Sequence, residues 1–315
     1  MLVVFTVAST PALLACDLCA VYSAHESRGE LGKGWYAGGA EQFTHFGTMQ
    51  QDGRKVPNDL GQHLNSSISQ LLIGYNLNER FGVQFNLPVI YRSFVRPDGF
   101  AIDRGTVSGL GDVSLLGRFA LFRNDDKNVT VAWNVLGGVK LPTGDTTRLQ
   151  EEVAELTAPP PPPGSPDCGI HGHDLTLGSG SVDGIVGTSI FARYQRVFLS
   201  ANVQYAIRTQ GDLDYQFAND LTWSGGPGVY LVLENEWTLA LQLNVSGEYK
   251  PRDTFQGVTA GDTGLTAVYL GPKISVSWQE KLSAELGADF PVSIANTALQ
   301  TVADYRLRAG VTWRF

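Results

Sequence analysis

The carboxyl-terminal stretch 303-ADYRLRAGVTWRF-315 alternates, residue by residue, between two kinds of side chain. One set is apolar or aromatic and consists of Tyr305, Leu307, Ala309, Val311, Trp313 and Phe315. The residues between them include three arginines, Arg306, Arg308 and Arg314. A period of two predicts a β-strand with one apolar face and one charged face. Strands of soluble sandwiches alternate in the same way, so the rest of the chain has to decide between a sandwich and a membrane barrel.

The composition of the whole chain narrows this choice. Beyond the first 16 residues the sequence has no apolar run of about 18 residues, which excludes a helical membrane span. Few segments show the 3.6-residue period of an amphipathic helix, so the chain is predicted to be nearly all β. The net charge of -8 argues against a nucleic-acid partner, which would require a basic surface.

Twelve segments are predicted to be strands, each of roughly 10 to 14 residues, whereas strands of soluble proteins average about 5 to 6. Strands of this length suit a tilted crossing of a membrane. The segments lie near residues 34–46, 63–76, 81–94, 110–122, 128–141, 183–194, 196–209, 217–233, 236–249, 264–278, 281–293 and 303–315.

The connections between these segments alternate between short and long. Polar turns follow every second segment, whereas the other links are mostly longer, and residues 142–181 form a link of about 40 residues that is called the long loop below. Outer-membrane barrels show this asymmetry, with short turns in the periplasm and long loops outside the cell. We therefore predict that residues 34–315 form an all-β, transmembrane, antiparallel up-and-down barrel of about 12 strands. Its place is the bacterial outer membrane, where the apolar face contacts lipid.

The amino-terminal residues are predicted to lie outside the barrel wall. Residues 1–15 resemble a secretory signal peptide, because an apolar stretch ends in small residues, but they lack the usual basic start, as a truncated signal would. Residues 16–33 are then a periplasmic segment or a plug. Cys16 and Cys19 are predicted to form a disulfide or to stay thiols. The sequence LLAC also loosely fits a lipoprotein box, in which Cys16 would be acylated.

The last residues, VTWRF, resemble the terminal strand signature of bacterial outer-membrane barrels. In that class the barrel-assembly machinery reads the final aromatic residue. The resemblance therefore implies that Trp313 and Phe315 act as an assembly signal, with the assembly machinery as a partner.

Three further stretches resemble one family of outer-membrane transporters, named after the meta-pathway of phenol degradation. The stretches are GLGDVSLLGRF (109–119), KLPTGD (140–145) and LGSGSVDG (177–184). The likeness spans roughly residues 105–315 and implies a barrel of this size. It does not specify the transported solute.

Charged residues on the inward parity of the strands define a candidate lumen. Opposed charges in a pore can orient ions or polar solutes, but paired charges can also fill a narrow barrel. Barrels of about 8 strands are filled and those of 16 to 18 leave a channel, so 12 strands do not decide the matter. We predict an outer-membrane channel or transporter for a small solute. The predicted lumen residues are Asp112, Arg118, Lys140, Arg193, Arg208, Asp220, Glu248, Lys273, Glu285, Asp289, Arg306 and Arg308.

Neighbouring strands are expected to pair some of these charges. Arg306 and Arg308 should face Glu285 and Asp289 on the preceding strand. Glu41 on the first strand should close the ring from the other side.

Two other functions stay open. The first is a non-conducting barrel whose loops bind a surface partner or a metal. The second is a membrane enzyme at the barrel rim that uses His45 or His63, but no nucleophile motif accompanies these residues, so no enzymatic activity is predicted. Soft-metal ligands for zinc or copper cluster in the long loop, namely Cys168, His171, His173 and Asp174. Whether the long loop folds into the barrel or stands away from it is not decided by the sequence.

Overall fold

The computed structural model describes residues 33–157, 162–279 and 281–315. The predicted signal peptide lies outside the described residues, and so does the predicted periplasmic segment or plug apart from Lys33. The predicted disulfide or thiol pair, Cys16 and Cys19, therefore lies outside them too.

Most of the described chain is β-strand. Two short helices, α1 (Leu149–Thr157) and α2 (Gly172–Leu175), belong to the long loop. No helix in the described ranges is long and apolar enough to cross a membrane. The strands are β1 (Gly34–Gln51), β2 (Arg54–Lys55), β3 (His63–Asn76), β4 (Phe81–Asp98), β5 (Ala101–Leu110), β6 (Ser114–Asp125), β7 (Val129–Lys140), β8 (Asp183–Tyr194), β9 (Val197–Ile207), β10 (Tyr215–Gln216), β11 (Asp220–Leu233), β12 (Trp237–Lys250), β13 (Thr254–Phe255), β14 (Val258–Thr259), β15 (Leu265–Trp278), β16 (Leu282–Asn296) and β17 (Leu299–Arg314).

Twelve of these strands form a closed antiparallel barrel. The order around it is β1, β3, β4, β6, β7, β8, β9, β11, β12, β15, β16 and β17, and β17 returns to pair with β1. This closing ladder runs from Tyr36 opposite Arg314 to Gln51 opposite Leu299. Closure gives each barrel strand two neighbours, so the wall can satisfy its own backbone hydrogen bonds, as a lipid environment requires. The predicted fold class is confirmed.

Two links that were predicted to be long loops form strands instead. Residues 101–110 form β5, which pairs with the outer half of β4 and continues this hairpin past the rest of the wall. Gly99 takes a φ of 57° in the tight turn between them, a conformation that glycine adopts readily. Similarly, β16 and β17 continue to a two-residue turn at 297–298. In both hairpins the strands pair beyond the region where apolar and polar side chains alternate clearly, so the alternation underestimates their length.

The two faces of the wall differ as the alternation predicts. Outward positions carry exposed apolar side chains such as Leu71 and Leu286, which are 54% and 61% exposed. Inward neighbours are polar and buried, such as Asn86. Near the short-turn end, the rings of Trp278 and Trp313 lie 6.4 Å apart, as in the aromatic girdles of membrane barrels.

The long loop folds inward and packs on the inner wall. Ile170 and Leu175 are fully buried in an apolar cluster with Phe46, Leu64 and Phe94 of β1, β3 and β4. Burying two aliphatic side chains of this size stabilises the packing by on the order of 3 to 6 kcal/mol. The long loop therefore covers the outer end of the lumen.

Candidate functional site

Residues from the three family-like stretches meet in one buried charged cluster at the base of the long loop. Lys140 Nζ lies 2.7 Å from Asp112 Oδ2 and 2.8 Å from Asp183 Oδ2. Arg208 continues the cluster, at 2.7 Å from Asp183 and 2.8 Å from Asp220. Each cation has two carboxylate partners here, and all five side chains are largely withdrawn from solvent. We call these five residues the hinge cluster.

The hinge cluster holds both ends of the long loop. Asp112 accepts hydrogen bonds from Gly144 N at 3.0 Å and from Ser179 N at 2.9 Å. The two ends also touch each other, because Gly178 N donates to Asp145 O at 3.2 Å. A Cβ on Gly144 would lie only 2.7 Å from the Cα of Gly178, so this close approach requires glycine. The long loop is thus an Ω-shaped excursion whose ends are tied together.

Two arginines of β4 hold the opposite side of the long loop. Arg92 is 2% exposed, and its Nη1 donates to the carbonyl oxygens of Asp174 at 2.7 Å and Thr176 at 2.6 Å. Arg96 forms an ion pair with Glu151 of α1 at 2.6 Å. Because β4 pairs with β6, these contacts hold the long loop along one continuous part of the wall. The loop crosses the barrel mouth to β17, where Thr301 N donates to Gly169 O at 2.7 Å.

The centre of the long loop contains two histidines that face carboxylates. His173 Nδ1 lies 2.8 Å from Glu152 Oε2, inside the loop. His171 lies between Glu155 of α1, at 2.8 Å, and Asp262 of the β14–β15 link, at 3.4 Å. These contacts join the two helices of the long loop to each other and to the neighbouring extracellular link.

The carboxylates keep the histidines protonated at neutral pH. Burial lowers the pKa of His171, but the hydrogen bond with Glu155 and the charges of Asp262 and Asp174 together outweigh burial, and the pKa rises to about 9. Burial also opposes protonation of His173, and the charges of Asp174 and Glu152 raise its pKa well above the ordinary value. Glu152 has its pKa lowered to about 2, because His173 outweighs the effect of burial.

The predicted metal ligands do not converge on one point. Cys168 Sγ donates to Ile170 O at 3.0 Å, and burial raises the pKa of this thiol to about 11, which disfavours the metal-binding thiolate. Asp174 accepts a hydrogen bond from the backbone of His171 and lies 3.3 Å from Nε2 of His173. Among the described residues, no three His, Cys, Asp or Glu side chains are arranged to hold a metal ion. Zinc or copper binding stays a prediction.

A cavity of about 130 Å³ lies in the lumen. Charged side chains from β12, β15, β16 and β17 line it, and they form three pairs of opposite charge. Arg308 lies 2.5 Å from Asp289, as expected for neighbouring strands. Arg306 lies directly opposite Asp289 in the register of β16 and β17, as expected, and its guanidinium forms an ion pair with Glu248 on β12 at 2.5 Å. The third pair joins Lys273 and Glu285 at 3.6 Å.

The other two predicted lumen residues lie closer to the short turns. Arg118 is buried and donates to Asn76 Oδ1 at 3.0 Å. Arg193 donates to Thr130 Oγ1 at 2.6 Å, beside the turn between β6 and β7. The twelve predicted residues thus divide into four members of the hinge cluster, the six residues of the cavity pairs and these two arginines. The fifth member of the hinge cluster, Asp183, was not predicted.

The expected position of Glu41 in the lumen is wrong. Its carboxylate accepts hydrogen bonds from Ser67 and Ser69, which alternate with exposed Leu71 on the outer face of β3. The Glu41 carboxylate therefore lies on the lipid side of the wall, opposite Ala309 of β17, although both residues also border the lumen cavity. The sequence GWYAGGAEQ does not show which of its residues face inward, because glycine and alanine fit either face of a strand.

At the rim, His45 belongs to a polar cluster on the outer face of the wall. Its Nδ1 lies 2.7 Å from Asn65 Oδ1 and its Nε2 lies 3.7 Å from Asp304. The ring of His63 lies 6.2 Å away. In the described chain, no hydroxyl or thiol is hydrogen-bonded to either ring nitrogen of His45, so no nucleophile–base pair forms here.

The predicted assembly signal lies at the end of the closing strand. Trp313 and Phe315 are 39% and 75% exposed, on the outer side of the barrel. Phe315 N donates to Trp35 O at 3.0 Å, so the terminus extends the pairing of β17 with β1. A role in assembly stays a prediction.

Solved structures with a similar fold are outer-membrane proteins. The chain is similar to an outer membrane channel from Pseudomonas putida F1, with a TM-score of 0.63 and 15% identity, covering 92% of this chain and 98% of that one. Weaker similarity links it to the translocator domain of the autotransporter NalP from Neisseria meningitidis, with a TM-score of 0.41, 12% identity and 90% of each chain covered. The CymD monoaromatic hydrocarbon channel has a TM-score of 0.38 and 9% identity, over 90% of this chain and 89% of that one.

The similarity to the Pseudomonas putida channel shows the fold, which is that of an outer-membrane β-barrel. No family model matches the sequence, and no curated protein matches it either. The family suggested by the three motif stretches therefore stays a prediction.

Proposed function

We propose that this protein is an outer-membrane channel or transporter that passes a small charged solute through its lumen, with the long loop as the gate. The observation that carries this proposal is the lumen cavity of about 130 Å³, lined by paired charges, in a barrel whose mouth the long loop bridges. A barrel that only anchored its loops in the membrane would not require a polar cavity in its lumen.

A second cavity supports a continuous route along one side of the barrel. It measures about 40 Å³ and lies directly beneath α2, where β1, β3, β4, β12, β15 and β17 contribute to its lining. The larger cavity is lined further along several of the same strands, by residues nearer the short turns. The two cavities are therefore stacked along the β12–β17 side of the lumen.

The charge pairs give the route its chemistry. Each basic side chain of the lumen cavity has an acidic neighbour, so neither sign dominates the surface. Opposed charges in a confined polar space orient a solute that carries charge of its own, and they interact with it more strongly than they would in bulk water. The inward packing of the long loop weighs against the alternative of a sealed barrel that presents this loop as a receptor surface.

Ion selectivity of the refolded protein in planar bilayers tests the proposal. Changing Arg308 to Ala removes a positive charge from the cavity and should shift the reversal potential in a salt gradient towards cation preference. Arg196→Ala is the matched control, because it removes the same charge from an exposed turn, where Arg196 bonds only to Leu231 O. An Arg308→Ala barrel that folds and conducts with an unchanged reversal potential would contradict passage along this cavity.

A further inference from the structure

Arg92 is a deeply buried arginine without a carboxylate partner. Other arginines inside the outer half of the barrel each pair with an acid: Arg96 with Glu151 and Arg208 with Asp183. No carboxylate of the described chain lies within ion-pair distance of the Arg92 guanidinium. Its hydrogen bonds go only to dipoles, of which the shortest are to two carbonyl groups of the long loop.

One edge of the Arg92 guanidinium is also unused. Nε reaches Ser66 Oγ at 3.4 Å and Nη1 serves both loop carbonyls, whereas Nη2 has no hydrogen bond to any described residue. A buried charge is costly unless an opposite charge and hydrogen bonds compensate it. The guanidinium is thus a strong, partly unsatisfied binding group for an anion.

The cavity of about 40 Å³ beneath α2 adjoins this guanidinium and is called the Arg92 cavity below. Its volume exceeds the share of one water molecule, roughly 30 Å³, and suits a small ion or a single carboxylate group. Lys250 supplies a second cation at its edge, although its Nζ is 2.7 Å from Asp253. Asp174 is the acidic residue of the lining, and its carboxylate faces the neighbouring histidines. The polar groups around the cavity are Ser66, Thr263, Gln300 and Thr301.

We propose that the Arg92 cavity binds a small anion, in particular the carboxylate of an incoming solute, and that this anion releases the long loop. The anion takes the position of a counter-ion at Arg92 and competes with the carbonyl groups of Asp174 and Thr176. The binding step stands on the cavity alone, whereas its consequence for passage rests on the proposed function.

The competition favours the anion for a physical reason. A carboxylate can accept two parallel hydrogen bonds from one guanidinium, which adds energy and geometric specificity that a single neutral carbonyl group does not offer. The hinge cluster keeps the base of the long loop in place, so release at Arg92 moves only the far side. The Arg96–Glu151 pair, the His171–Asp262 pair and the buried side chains of Ile170 and Leu175 hold that side of the loop when no anion is bound.

Limited proteolysis measures this release without relying on conductance. Glu152 of α1 is 1% exposed because α2 packs on it, so glutamyl endopeptidase should cut after it only when α2 leaves Arg92 and separates from α1. In refolded protein at neutral pH, sodium acetate should raise the rate of this cut about tenfold, the factor that one charge-assisted hydrogen bond supplies. Acetamide, which has the same shape without the charge, should have no effect. Sodium chloride separates carboxylate recognition, if it is inert, from binding of any small anion, if it acts like acetate.

The two arginines of β4 provide the matched pair of variants. In Arg92→Gln the acetate response should disappear, whereas in Arg96→Gln the long loop should be cut faster at the outset and still respond to acetate. Arg92→Lys keeps the charge and should retain a weaker response, which covers the case that the glutamine variant does not fold. An equal acetate effect in wild type and folded Arg92→Gln, or no acetate effect in wild type, would overturn the proposal.

Bilayer recordings then separate this inference from the proposed function. If the barrel conducts but its loop cleavage does not respond to acetate, the channel proposal stands and the anion site is rejected. If the barrel never conducts but acetate still releases its loop in an Arg92-dependent way, the anion site stands and the channel proposal is rejected.

Discussion

The polar contacts that hold the long loop at its base and at β4 differ in kind. At its base, the hinge cluster joins two cations to three carboxylates, and every carboxylate takes part in an ion pair. On the far side, Arg92 meets only backbone carbonyls and the Arg96 pair is partly open to solvent. A compensated buried network is costly to break, whereas a dipolar contact can be exchanged for a better partner. The difference indicates a fixed base and a releasable tip, as a gate requires.

The largest expected effect comes from breaking the base. Lys140→Met leaves the carboxylates of Asp112 and Asp183 buried without their shared cation, and it should lower the free energy of unfolding by about 3 to 5 kcal/mol. Urea titration followed by heat-modifiable gel mobility measures the loss. Lys273→Met is the control: its pair is 3.6 Å apart and borders the lumen cavity, so it should cost much less. Equal losses of unfolding free energy in the two variants would show that the hinge cluster stabilises the barrel no more than an ordinary lumen ion pair does.

A smaller effect should follow from pH, which acts on the histidines of the long loop and on the glutamate that faces them. The raised pKa of His171 means that its pairing stabilises the closed loop fully below the ordinary histidine pKa of about 6.5 and is lost as the pH rises through about 9. The lowered pKa of Glu152 means that its contribution is present above the ordinary value and is lost as the pH falls towards about 2.

Closure should therefore be strongest in the mildly acidic range and should weaken several-fold on the alkaline side. Cleavage of the long loop by trypsin after Arg148, followed from neutral to alkaline pH, measures this. His171→Gln should remove most of the alkaline dependence, with barrel mobility on gels as the control. A cleavage rate that ignores pH in wild type would separate the histidines from closure.

The smallest effect is expected from a substitution in the barrel wall itself. Glu41 faces lipid and is satisfied only by two serine hydroxyls, so Glu41→Leu should raise the free energy of unfolding by up to about 1 kcal/mol. The same change at Asp289, which is buried beside Arg308, should lower it. Unfolding in urea compares the two, and a loss of stability in Glu41→Leu would place this carboxylate in a structural role.

The sequence was sufficient for the wall and for the faces of most strands, because a period of two fixes which side chains share a face. The predicted lumen residues from Asp112 to Arg308 follow from this rule alone. It failed at Glu41, where glycine and alanine neighbours carry no facial preference. The period-of-two rule also missed β5, because β5 pairs with β4 in a region where apolar and polar side chains do not alternate clearly.

The tip of the gate could not be predicted from pattern. Arg92 shares its parity with polar Gln84 and Asn86 of the same strand, but the predicted lumen residues did not include it. Its partners come from carbonyl groups of the long loop, far away in sequence, and no local rule describes them. The histidines of the loop looked like metal ligands because sequence spacing does not show the carboxylates that face them.

The conductance of a barrel without the long loop tests the central claim most directly. Joining Gly144 to Gly178 removes residues 145–177 and uses the place where the loop ends already touch, so the hinge cluster should stay intact. Single-channel recordings should show a wild type that is mostly closed and a shortened barrel that stays open with a larger conductance. A shortened barrel that is folded by gel mobility but does not conduct would contradict the account, because the lumen would then be sealed by its own charge pairs and not by the gate.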